Sequence, residues 1–445
     1  MHVALVAIGE PLPLGEGLKD RRHRTGFFAE HLARHGHRVT WWTSAFDHAR
    51  KRMIHADTAT VRISGRLELE ILRGCGYSRN VSLARIRDQR LIARQFASRI
   101  RAKERPDVIL CALPPVELCA EATAYGKEFG VPVVLDMRDM WPDIFVDVFP
   151  DCARPLARLL LRPMFSQASR ACSRATAITG ITDPFVDWGV RRAGRARTAL
   201  DRSFPIGYSR RAPSSDRIAA AEEFWDRLGI ATNSARPVAT FVGNLGRQCD
   251  LVHVIDAARR LHAEGHPARF VLCGNGERLD AYRAQAADLP NVLLSGWIDE
   301  AQIHVLLRRT YLALDPLPDR YDFLATINNK AIEYLSAGVP IISCPSAGLL
   351  AETLARFDCG TSYAAPEADA LVSAVRDACA NPSRWRRKVE NARRLFDTRF
   401  AAEDIYEMFR SYLEGLVTTD ANTIVLTGDA GQVRQPAQSV CNSQA

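Results

Sequence analysis

The run Thr326-Ile327-Asn328-Asn329-Lys330-Ala331-Ile332-Glu333-Tyr334-Leu335-Ser336-Ala337-Gly338-Val339-Pro340 has the residue types of a helix that holds a charged ligand. Asn328 suits the N-cap, Gly338 ends the helix and Pro340 opens the next strand. The first turn of a helix offers free N–H groups and a positive dipole end. Lys330 adds a full charge there, so the place suits a diphosphate. Glu333, about one turn further in, is placed to accept hydrogen bonds from a ribose diol. The alternative is a plain helix that Asn328 caps and Glu333 solubilises. Two glycine loops, Gly243-Asn244-Leu245-Gly246-Arg247 and Cys273-Gly274-Asn275-Gly276-Glu277, each follow an apolar run. Glycine lets a backbone approach a ligand, and Arg247 offers a charge-assisted contact to phosphate. Either loop alone is explained by a structural turn; the pair is the stronger signal.

Short apolar strands alternate with amphipathic helices, which argues α/β with parallel sheets. Strands are expected at 2–8, 38–43, 107–112, 131–135 and 175–179, and helices at 25–35, 82–103, 116–129 and 154–171. Residues 204–216 read as a linker. A second series follows, with strands at 237–242, 268–273, 291–294, 311–314 and 339–343, and a long final helix near 385–416. The chain beyond Val417 is small and polar, the composition of a disordered tail. Two doubly wound domains imply a cleft between them, because such sheets bind ligands beyond the carboxyl ends of their strands.

The 445 residues carry a formal net charge of +8, unevenly spread: 35 basic and 22 acidic residues up to Arg211, then 24 and 29. The motifs and aromatic signals of nucleic-acid domains are missing, so no nucleic-acid partner is expected. The basic half points to anionic lipid or a phosphorylated acceptor, or is only an arginine-rich solvated surface. No apolar run reaches the roughly 18 residues that span a bilayer. The start of the chain does not read as a signal peptide. Eleven scattered cysteines form no C-x-x-C pair and read as reduced thiols. A cytoplasmic protein is expected.

The segment Asn329-Lys330-x-x-Glu333-Tyr334-Leu335-x-x-Gly338-x-Pro340 resembles the donor-site helix of family 4 retaining glycosyltransferases. It is most similar to the branch that makes bacterial surface polysaccharides, which includes N-acetylfucosaminyl-transferase-like proteins. Arg34 to His48 resembles that branch's second strand, and Asp136-Met137-Arg138-Asp139-Met140-Trp141-Pro142-Asp143 its acidic loop. The resemblance covers about residues 1–415. It implies the GT-B fold: two Rossmann-like domains facing each other across a cleft, residues 1–203 for the acceptor and 217–397 for a nucleotide sugar. A helix over 398–416 then returns to the first domain. It further implies diphosphate binding by Asn329 and Lys330, ribose binding by Glu333 and base recognition by the backbone of Trp297 and Ile298. The departures are Ala325, where the family often has a sugar-binding glutamate, and Asn244, where arginine is usual. Asp322 and Arg247 are the candidate substitutes, and Arg138 falls near the place of a common histidine.

No Asp-x-Asp pair is present to hold a divalent ion on the diphosphate, so no essential metal or other cofactor is expected. The donor is expected to be a UDP-sugar, and the acceptor a glycan or a polyprenyl-phosphate-linked glycan. Asp139 is the first candidate to activate the acceptor hydroxyl and Asp136 the second. The alternative is that this loop pairs with Arg138 and holds the cleft wall. Gly15 and Gly17, in the loop that carries Lys19, Arg21, Arg22, His23 and Arg24, are expected beside the acceptor. That loop either grips a phosphate or is a mobile surface loop. In 154–171, Arg154, Arg158 and Arg162 recur every four residues, with Leu156, Leu159 and Leu160 on other faces. The pattern fits docking at the inner face of an anionic membrane, or leucines packed on the sheet. A nucleotide-sugar epimerase and a non-catalytic sugar-nucleotide scaffold are the competing readings; the first strand lacks the G-x-G-x-x-G of a dehydrogenase.

Overall fold

A computed structural model describes residues 1–15, 22–147, 149–232, 236–246 and 249–418. Gly17, Lys19, Arg21, Arg247 and the tail from residue 419 lie outside the described residues.

The first half is built on an eight-stranded sheet. From edge to edge its strands are Arg202–Ser203, Ala177–Gly180, Val133–Met137, Val108–Leu113, His2–Val6, Arg38–Ser44, Leu67–Leu72 and Ala59–Arg62. All neighbours are parallel except the last pair. Alternate residues of a strand face opposite sides. Val3 and Leu5 therefore join one apolar cluster and Ala4 and Val6 another. Helices cover both faces, as a parallel sheet requires. Strand order reverses between His2–Val6 and Val108–Leu113, which places a crevice beyond their carboxyl ends.

The second half has six parallel strands in the order Val292–Gly296, Arg269–Cys273, Val238–Val242, Leu312–Pro316, Ile341–Cys344 and Gly360–Ser362. Here the order reverses between Val238–Val242 and Leu312–Pro316. The two crevices belong to a two-domain α/β fold of the GT-B type.

The expected final helix is two helices. Pro382–Arg399 packs on the second half through Trp385, Leu395 and Phe396, whereas Ala402–Thr418 packs on the first. Phe409 is fully buried there, its ring 4.7 Å from Phe28 and 4.1 Å from Phe204. Between the helices the chain runs beside the linker. Tyr208 N donates to Phe400 O and Ala402 N to Tyr208 O, both at 2.9 Å. Gly207 permits this approach, since a Cβ there would lie 2.6 Å from Ala402 Cα.

Two further expectations are corrected. The helix over 154–171 is two helices, Arg154–Leu160 and Arg162–Arg174, because Pro163 cannot continue the first and instead opens the second. Leu156, Leu159 and Leu160 are 60%, 62% and 69% exposed, so they do not pack on the sheet. The strand Leu67–Leu72 went unread because glutamates alternate with its apolar residues. Glu70 is fully buried nonetheless, held by Arg99 and Lys103.

Phe409→Ala is expected to lower the stability of the first half by about 3–5 kcal/mol, the usual loss for a fully buried phenylalanine. Guanidinium unfolding followed by tryptophan fluorescence measures it. An unchanged midpoint would show that the last helix contributes little to that core.

Candidate functional site

The helix Asn329–Ser336 begins as its sequence dictates: extended Asn328 accepts at its side chain from Ala331 N, at 3.0 Å. Its amide also donates to Asp315 Oδ2 at 2.6 Å, and Lys330 Nζ lies 2.8 Å from Asp315 Oδ1. Asp315 is fully buried near the carboxyl end of Leu312–Pro316. It thus ties the helix N-terminus to the crevice where strand order reverses. Lys330 lies beside Gly243, where a Cβ would come within 3.0 Å of Lys330 Cδ. Glu333 is fully buried on the same helix. Asp315 was not read from the sequence, although a lone aspartate in the apolar run Leu312-Ala313-Leu314 is a signal for a buried partner.

The glycine loops serve each other. Gly243 N donates to Cys273 O at 3.0 Å and Leu245 N to Asn275 O at 2.9 Å. A Cβ on Gly274 would fall 1.7 Å from Gly243 O, and one on Gly276 2.3 Å from Leu245 O. Close packing of the two loops therefore requires these glycines, a structural role of the kind the sequence left open beside ligand approach. Gly246 is buried, while Asn244 and Asn275 are exposed at the crevice loops. Ile298 is in the core, whereas Trp297 is 51% exposed with the Arg50 guanidinium of the first half 5.8 Å from its ring centre.

On the facing half, Asp136 has no exposure to water. It accepts from Arg24 Nε at 2.9 Å, Arg24 Nη2 at 3.1 Å, Arg138 Nε at 2.8 Å and Thr179 Oγ1 at 3.0 Å. Burial alone would raise its carboxyl, but the Arg24 and Arg138 guanidiniums hold it well below the usual carboxylate range. Arg138 also pairs with Glu10 and donates to Thr25 Oγ1 at 2.8 Å. Arg24 is buried and reaches Pro205 O at 2.7 Å. Asp136 thus has its lone pairs engaged by two arginines and Thr179, and Arg24 turns into the interior, which is the arrangement of the alternative in which this loop holds the cleft wall. Arg138 likewise braces the wall. Gly15 is exposed.

Asp139 differs. It is partly buried and, among the described residues, accepts from Met140 N at 2.8 Å and Trp141 Nε1 at 3.1 Å. Burial raises its pKa to about 6, assisted by the negative charge of Asp322 from the second half. Asp322 itself is held by Arg320, Nη2 to Oδ2 at 2.7 Å. The neighbouring Ala325 explains its missing glutamate: it packs into the apolar cluster of the first half, and its carbonyl accepts from Thr182 Oγ1 at 2.7 Å. A carboxylate there would be forced into apolar surroundings. Among the described residues, the group able to hold a metal ion is His31, His35 and Glu407, where the first helix meets the last. It shares no residue with either crevice.

Residues 226–395 match the family model described as glycosyl transferases group 1. No curated protein matches the chain in sequence. Solved structures share its fold. Sucrose-phosphate synthase from Thermosynechococcus elongatus superposes with a TM-score of 0.68 at 17% identity, over 94% of this chain and 100% of that one. Anabaena HepE in complex with UDP-glucose gives 0.62 at 15% identity, over 93% and 100%. WaaG, a glycosyltransferase involved in lipopolysaccharide biosynthesis, gives 0.56 at 16%, over 96% and 100%.

Because Asp139 ionises less readily folded than unfolded, the stability it contributes is full below its ordinary value of 3.8. That contribution is lost as the pH rises through about 6. Asp139→Asn removes this dependence. Denaturation midpoints of the two proteins should therefore diverge in the variant's favour between about pH 4 and pH 7. Parallel midpoints across that window would count against a raised Asp139.

Proposed function

We propose that the chain is a family 4 retaining glycosyltransferase that passes a sugar from a UDP-sugar to a glycan or lipid-linked acceptor in cell-surface polysaccharide synthesis. The observation that carries this reading is the capped helix N-terminus at Asn328–Lys330, fixed over Gly243 by buried Asp315 at the strand-order reversal. The positive end of the helix and an ammonium there suit a diphosphate leaving group, whose developing charge they stabilise. The UDP-glucose complex of the similarly folded HepE supports the choice of donor. In this arrangement Glu333 accepts from the ribose hydroxyls, and the Trp297–Ile298 backbone meets the base. Asp139, ionised above about pH 6, takes the acceptor hydroxyl's proton from the opposite wall. Asp322, clamped by Arg320, is the acidic group offered to the donor sugar in place of a glutamate at Ala325. A thermal-shift panel of UDP-, GDP- and ADP-sugars tests the reading, with stabilisation expected from a UDP-sugar. A chain indifferent to all three sinks it.

Glu333→Gln is expected to weaken UDP binding by roughly 1–3 kcal/mol, because a buried carboxylate built for a hydroxyl pair loses its charge. Calorimetric titration measures this. Unchanged affinity in a folded variant would remove Glu333 from the site.

The same reading places the protein on the inner face of an anionic membrane. The support is the exposed Leu156, Leu159 and Leu160, flanked by exposed Arg158 and Arg162. An apolar face edged by arginines suits shallow insertion beneath acidic headgroups. Co-sedimentation with phosphatidylglycerol vesicles should exceed that with phosphatidylcholine vesicles. Replacing the three leucines by serine should abolish it. Equal pelleting with both, or no effect of the serines, would refute docking through this helix.

A further inference from the structure

Beside Asp139 lies a group of side chains that the sequence scatters over three segments. His48 and Lys51 come from the turn after Phe46–Asp47, Tyr77 from the loop after Leu67–Leu72, and Arg85 from the start of the helix Leu83–Arg101. Arg85 stacks 4.5 Å from the ring centre of Trp141, whose indole N–H is bonded to Asp139. On its other side Arg85 lies 5.5 Å from the Tyr77 ring centre, and Lys51 lies 5.0 Å from it. The turn carrying Lys51 also carries Arg50, which meets Trp297 of the second half. The group thus stands on the wall of the cleft, between the candidate base and the opposite domain.

Its two charged groups can only donate. His48 Nδ1 lies 2.6 Å from Tyr77 Oη and 3.3 Å from Lys51 Nζ. An ammonium only donates, so Nδ1 accepts and the ring proton sits on Nε2. Burial, with Lys51 and Arg85 beside it, pushes His48 down to about 4, so the ring is neutral near pH 7. Lys51 is lowered as well, by burial and then by Arg85, and Arg85 is lowered by burial. Their protein partners are neutral: Lys51 donates to Asn80 Oδ1 and Arg85 Nη1 to Asn80 O at 2.8 Å. Arg85 Nε is buried with no hydrogen-bond partner. Arg38, Arg99, Arg101, Arg192 and Arg195, elsewhere in the first half, each meet a carboxylate within 3.1 Å. Among the described residues, Lys51 and Arg85 meet none. Lys51 also holds a left-handed backbone, φ 55°, which a side chain of its shape adopts only at a cost. Asp47 acts on Lys51, and Asp139, Asp88 and Glu117 on Arg85, only from beyond ion-pair distance, so two partly desolvated cations lack a paired carboxylate that a ligand could supply.

We propose that Lys51 and Arg85, with the Nε2–H of His48, form an oxyanion subsite in the acceptor half of the cleft. The acceptor would then be a sugar or lipid-linked sugar bearing a phosphate or carboxylate close to the hydroxyl that Asp139 receives. The proposal rests on the glycosyltransferase reading above for the word acceptor, and on the local geometry for the anion. It moves the phosphate grip expected of the loop before Arg24 onto a different wall. The Tyr77 and Trp141 rings, each with a cation over it, hold Lys51 and Arg85 in place.

The full chain, held at saturating UDP so that the diphosphate place is filled, is titrated calorimetrically with glucose 6-phosphate, glucuronate and glucose at one ionic strength. An anionic sugar is expected to bind about tenfold or more tightly than glucose, and the two anionic arms report which oxyanion the subsite takes. Lys51→Asn, chosen because asparagine tolerates a left-handed backbone, and Arg85→Gln should each remove most of that preference. UDP affinity should stay within about twofold, which also shows that the variants fold. Equal binding of all three sugars, binding of none, or an anion preference that survives both substitutions overturns the proposal. A wild-type chain that binds no UDP overturns the donor reading instead, and the same anion titrations are then read without UDP.

Discussion

A carboxylate sealed from water must find cations inside the protein, and Asp136 finds two. Arg24 comes from the first helix and Arg138 from the loop that follows its own strand. Taking away one partner of such a buried group typically costs about 3–5 kcal/mol, because the remaining charge is left uncompensated. The two arginines therefore fix more than Asp136. The free arm of Arg24 holds the linker at Pro205, and Arg138 holds Glu10 and Thr25, which anchors the loop leaving the first strand. The wall of the cleft is rigid because its charges are satisfied inward. Asp139, three residues along, is left as the carboxyl with a neutral-range pKa facing the other half.

The second half repeats the device with different residues. Asp315 ends a central strand without exposure, and Asn328 and Lys330 close on it. In each half an aspartate beneath the crevice sets the position of the groups above it. The Lys330 ammonium is oriented by Asp315 instead of sweeping a surface.

Alternation of apolar strands and helices made the architecture legible, and the cap at Asn328 was readable because cap chemistry is local. The site was readable only where function follows from neighbours in sequence. Asp136 and Asp139 look equivalent as a string, yet burial, the distant Arg24 and the adjacent Arg138 separate a locked carboxylate from a titrating one. For Gly274 and Gly276 the sequence left a turn and a ligand loop open, because the constraint that the structure shows, contact with the other glycine loop, comes from residues distant in sequence. Lys51, Tyr77 and Arg85 carry no motif at all, since only the packing of three segments brings them together. Leu156, Leu159 and Leu160 show the converse: helical spacing gave their common face, but which way that face turned was a matter of tertiary packing.

The helix Ala402–Thr418 fills a core whose other walls are made by the first two hundred residues, with Phe409 lying between Phe28 and Phe204. This sets an order of assembly on the ribosome. At usual rates of synthesis, on the order of ten to forty seconds separate the emergence of Phe204 from that of Phe409. During that interval the first sheet carries an apolar trough with no lid. The nascent chain therefore offers a hydrophobic surface to chaperones until the helix Ala402–Thr418 is made. A message truncated just before Ala402 yields a chain with every crevice residue present and one core permanently open.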